Sequence, residues 1–78
     1  MELGDAIRGE IQFRMAERGV SDRTMARVWG VTTGLAAAKL DGREEITTDE
    51  IERAARWFGC DPFDFVESAQ RNAAGEGL

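Results

Sequence analysis

The sequence predicts an all-α domain of five helices, and two observations carry that prediction. Apolar residues recur three and four apart, at Leu3, Ile7, Ile11 and Met15 and again at Ile51, Ala54, Ala55 and Phe58. That spacing gathers side chains on one face of a helix. The periodic stretches are also punctuated. Ser21, Thr32, Thr47 and Asp61 stand where helix caps are needed, and Gly19, Gly30, Gly42 and Gly59 stand where helices must stop. Seventy-eight residues make one small domain. It is assigned to residues 1–70, with 71–78, small and polar, expected to fray or be disordered.

The first helix is expected over about 4–18, with Arg18 in its last turn and Gly19 ending it. Phe13 lies off the apolar stripe, either folded against a neighbouring helix or meeting a partner. The second helix is expected over about 22–29, with Met25, Ala26 and Trp29 inward. Arg23 and Arg27, four apart, share its outer face. The third is expected over about 32–40, with Val31, Ala36 and Leu40 inward and Leu35 partly covered. Thr33, Gly34, Ala37, Ala38 and Lys39 are then left outside. Thr47 and Glu50, three apart, read as a capping box that opens the fourth helix. Asp61 as cap and Pro62 at the first helical position open the fifth. Cys60 reads as a packing residue. Trp57, Phe63 and Val66 have no clear place in one small core. They either cover one another or form an exposed patch for a second copy of the chain.

Residues 21–43 hold two short helical patterns joined by Gly30-Val31-Thr32. Two helices joined by a tight glycine-containing turn describe a helix-turn-helix, at about 22–40, whose second helix can lie in a DNA major groove. The stretch resembles the helix-turn-helix of the Cro and lambda-repressor-like family. Met25-Ala26 stands for the family's Leu-Ala, Gly30-Val31-Thr32 for its turn, and Leu40-Asp41-Gly42 for the end of its second helix. The likeness extends over roughly residues 6–67, taking in Ile46–Phe65 as the fourth helix, the Gly-X-Asp-Pro turn and the start of the fifth. The resemblance implies a five-helix lambda-repressor-like fold and a small transcriptional regulator, phage Cro-like or bacterial. It implies that the third helix enters the groove of double-stranded DNA, with a palindromic operator if the protein is a homodimer. Dimerisation through the C-terminal helices is common in the family and points to Trp57, Phe63 and Val66. Carried onto this chain, Thr32, Thr33, Ala37, Ala38 and Lys39 would meet bases or nearby backbone, and Arg23, Arg27 and Arg43 would meet phosphates. The chain departs from the family on the third helix. Where Gln, Arg, Ser or Asn often make base contacts, it offers one hydroxyl, one lysine and very small groups.

Charge and composition restrict the alternatives. The net charge is −5, unfavourable at long range for a polyanion. It is unevenly spread: residues 21–43 carry four basic residues against two acidic, whereas 44–78 carry three against nine. There is no histidine, so the commonest general base and metal ligand are missing, and neither Ser21 nor Ser68 has one to activate it. No phosphate-cradling or calcium-loop pattern is present. An enzyme is not expected, and no cofactor or metal is implied. The single cysteine fits a reducing cytoplasm. No run is long and apolar enough for a membrane span, and the N-terminus lacks a basic-then-apolar signal pattern. The rival to DNA binding keeps the fold but binds protein, as an inhibitor, antitoxin partner or phage modulator of a host factor. The acidic balance, the bare third helix and the spare aromatics favour that rival.

Overall fold

The computed structural model describes residues 3–73 and contains five helices and no strand among them. They are α1 (Leu3–Arg18), α2 (Asp22–Trp29), α3 (Thr33–Asp41), α4 (Thr48–Trp57) and α5 (Pro62–Ala73). The boundaries follow from local chemistry. The Ser21 hydroxyl accepts from the Thr24 N–H, Thr32 from Leu35 and Thr47 from Glu50, each satisfying an amide that its helix cannot. Thr32 is therefore the cap of α3, not its first residue.

The connection from α2 to α3 depends on Gly30. Its φ of 71° is in the left-handed region, where a Cβ is disfavoured. The turn lets the Val31 N–H reach back to the Ala26 carbonyl at 3.0 Å, closing the helix end in a Schellman arrangement. Three residues then suffice to swing α3 across α2.

α1 packs along α5, α2 against both α3 and α4, α4 against α5, and α1 touches α3. One apolar cluster joins all five helices, with Ile11, Met25, Ala36, Ala54 and Phe65 at its centre. Trp29 is sealed in this core, and its indole N–H donates to the Glu50 carbonyl at 3.0 Å. That bond satisfies the ring's one donor and ties α2 to α4. Val31, Ile51 and Val66 pack partly buried against the cluster.

Three expectations need correction. Leu3 does not extend the buried stripe of α1; it is exposed, at the helix's first residue. Ala38 and Lys39 do not face outward; both are buried. α5 does not fray at Arg71 but continues to Ala73, because the Asn72 amide donates to Glu10 on α1 at 2.8 Å. The rest of the expected tail, 74–78, lies outside the described residues.

Glu10 is the polar centre of the α1–α5 seam. Its buried carboxylate accepts from Arg14 at 2.8 Å, Ser68 at 3.3 Å and Asn72 at 2.8 Å. A carboxylate taken from water needs such partners, and here they come from both helices.

Candidate nucleic-acid interface

α2 and α3 present the surface that the sequence marks out. Arg23 and Arg27 are exposed, one turn apart on the outer side of α2, and neither forms an ion pair among the described residues. Thr32, Thr33, Gly34 and Leu35 are exposed at the start of α3, and Ala37 is half-buried one turn on. The Thr32 oxygen already accepts from the Leu35 N–H at 3.1 Å, which leaves its hydroxyl proton to donate elsewhere.

Of the remaining expected contacts, Ala38 and Lys39 are withdrawn from this surface and Arg43 is partly neutralised. Lys39 is 6% exposed, and its ammonium is held by the Glu50 carboxylate at 2.9 Å and the Glu45 carbonyl at 2.8 Å. Helical spacing assigns Val31, Ala36 and Leu40 to the inward face and so predicts an outward Lys39. The buried acceptor pair that overrides this comes from the loop and helix that follow. Ala38 is packed in the same interior face. Arg43 is exposed but shares its charge with Asp41 at 3.0 Å. The four cations of residues 21–43 thus reduce to two without an ion-pair partner among the described residues.

Glu50 does two jobs. Its carboxylate accepts the Thr47 N–H at 2.9 Å, completing the capping box, and also receives Lys39. Burial acts to raise its pKa. The backbone bond from Thr47, the hydrogen bond and charge of Lys39, and the Thr47 side chain outweigh that, so the carboxyl lies below its ordinary value.

Two neighbours of the surface were not visible in the sequence. Arg53 reaches from α4 to donate to the Trp29 carbonyl at 3.4 Å, beside Gly30, while pairing with Asp49 at 3.0 Å. Its spacing of four from Asp49 was a readable sign of that pair, but its approach to the turn was not. Gly42, with φ 87°, lies under the Arg8 side chain; a Cβ there would stand 3.4 Å from the guanidinium. Arg8 donates to the Lys39 carbonyl at 3.0 Å, and Gln12 donates to the Leu40 carbonyl at 2.6 Å. The carbonyl end of α3 is therefore closed by α1 and its amide end is open.

The chain shares its fold with a gene regulator. It is similar to the crystal structure of the clp gene regulator ClgR from Corynebacterium glutamicum, with a TM-score of 0.73 and 23% identity, over 100% of this chain and 87% of that one. At this identity the likeness is one of fold. No protein-family model matches the sequence, and no curated protein matches it.

The proposed dimer residues are spread over two helices. Phe63 on α5 is 81% exposed, and Trp57 on α4 is 46% exposed with its ring edge-on to Phe58. Pro62, Phe63, Val66 and Gln70 line one shallow apolar depression. Phe13 on α1 is also exposed. Cys60 has a basic neighbour that sequence proximity could not reveal: an Arg14 nitrogen lies 3.0 Å from its sulfur. Among the described residues no group of His, Cys, Asp or Glu could hold a metal ion. No helix there is long and apolar enough to cross a membrane.

Proposed function

We propose that this protein is a small helix-turn-helix transcriptional regulator of the Cro and lambda-repressor kind that binds double-stranded DNA. One observation carries the reading: Arg23 and Arg27 stand exposed and unpaired on the helix that packs against the open start of α3. The fold shared with the gene regulator ClgR supports it. α3 lies in the major groove, where Thr32, Thr33 and Ala37 meet bases or adjacent backbone. Arg23 and Arg27 take phosphates on its flank, with Arg43 and Arg53 as weaker contributors because each shares its charge with an aspartate. Lys39 and Ala38 position the helix from behind. Two protomers associate through Trp57, Phe63 and Val66, giving a palindromic operator with half-sites about one helical turn apart.

Fluorescence polarisation on duplex DNA across a salt series tests this. Each phosphate neutralised contributes a slope of about −0.9 in log K against log salt, so two free arginines give roughly −2 per protomer. Arg23→Ala is expected to weaken binding on all sequences and flatten that slope by about 1. Absence of binding at low salt rejects the reading. It would favour a protein-binding role for the same fold, to which the exposed Phe13 and Phe63 would be suited.

A further inference from the structure

We propose that α3 reads DNA chiefly through thymine methyl groups, so that the operator is defined by where methyls stand in the major groove. This rests on the DNA-binding reading above. Base edges are ordinarily read by long side chains that make paired hydrogen bonds, such as Arg or Lys to guanine and Asn or Gln to adenine. The one long polar side chain on the non-core positions of α3 was Lys39, and the structure takes it away. Its ammonium is fixed between Glu50 and the Glu45 carbonyl, 6% exposed. Withdrawing it to reach a base would leave the Glu50 carboxylate buried without its countercharge, a costly exchange.

What remains outward at the start of α3 is mainly aliphatic, with the hydroxyls of Thr32 and Thr33 as its polar side-chain groups. Leu35 is 36% exposed and lies outside the core cluster. Thr33 presents a methyl as well as a hydroxyl, and Ala37 presents a methyl. Gly34 has open space where a Cβ would be, so the backbone there can approach a surface closely. Among the four bases, thymine alone offers an apolar group on the major-groove edge. An apolar reading surface has one feature it can recognise favourably.

The inference separates the methyl from the A·T pair that carries it. Duplexes with random interiors are selected on the wild-type protein, and the enriched site is resynthesised with deoxyuridine at one thymidine at a time. Uracil pairs as thymine does and lacks only the methyl. Loss of about three- to five-fold in affinity is expected at the one or two contacted thymidines in each half-site, the scale of one buried methyl group. Leu35→Ala, which leaves the core intact, is expected to reduce that discrimination. Thr33→Val, which keeps the methyl and deletes the hydroxyl, is expected to retain it. An enriched site indifferent to uracil at every position overturns the proposal, as does loss of discrimination in Thr33→Val. Salt-dependent binding without enrichment overturns it too while leaving DNA binding standing. No duplex binding at low salt removes the underlying reading itself.

Discussion

Gly34 places opposite demands on stability and on binding. It lies in the first turn of α3, and a Cβ added there meets nothing within 4 Å. Glycine costs a helix up to about 1 kcal/mol relative to alanine. Gly34→Ala is therefore expected to raise the thermal midpoint by about 4–8 °C, the shift that 1 kcal/mol gives a domain of this size. Duplex affinity should fall in the same variant, because the new methyl stands between backbone and groove. Calorimetry and polarisation on one preparation check both signs; a variant that gains stability and also affinity would show that α3 does not approach its target at Gly34. At this scale the sequence was readable where partners are close along the chain. The Thr47–Glu50 capping box, whose partners are three positions apart, is present as expected. Lys39 with Glu50 is eleven residues apart, and Arg14 with Cys60 is 46, so neither was visible before the chain was folded.

The Lys39–Glu50 pair joins two elements, α3 and α4. Both side chains are nearly sealed from solvent. Removing one partner from a buried pair costs about 3–5 kcal/mol, since the other charge stays desolvated. Lys39→Met is expected to lose about 3 kcal/mol in urea unfolding, and Lys39→Met with Glu50→Met to recover part of it. The pair also fixes an acid dependence. Because the Glu50 carboxyl is held below the ordinary glutamate pKa of about 4.3, its contribution is complete above that value. It disappears as pH falls through the lower, folded-state value. Glu50→Gln should flatten the fall in stability as pH drops below about 4.3. Element boundaries were legible because caps and glycines are local: α2 begins after Ser21 and ends at Gly30 as expected. The end of α5 was not, because the bond that extends it, Asn72 to Glu10, spans 62 residues.

For the molecule as a whole, charge and exposed aromatic surface set the behaviour. An acidic body with net charge −5 carries two unpaired arginines on the helix-turn-helix. On the proposed DNA-binding reading, attraction at distance is weak, and affinity would come from close fit and from joining two copies. A phenylalanine as exposed as Phe63 beside Val66 and near the α4–α5 corner is the group most in need of cover. Sedimentation is expected to find dimers at tens of micromolar. Phe63→Asp should yield monomers of unchanged helix content whose DNA affinity falls by ten-fold or more as avidity is lost, on the order expected for paired sites. A wild-type monomer at that concentration would remove the dimer. The five-helix arrangement was legible because every helix has its own apolar stripe or caps. The aromatic residues left over were legible only as a remainder, since what covers them is not encoded by local spacing.

The side chains of Arg8 and Gln12, 31 and 28 residues upstream, hold the Lys39 and Leu40 carbonyls in the last turn of α3. A short helix of nine residues would ordinarily fray from such an end. Here it is clamped, so tilting it means dragging the first helix along. The protein should meet its target already in the shape it keeps, spending little entropy on arrival and having little slack with which to adapt to a misplaced step in the duplex.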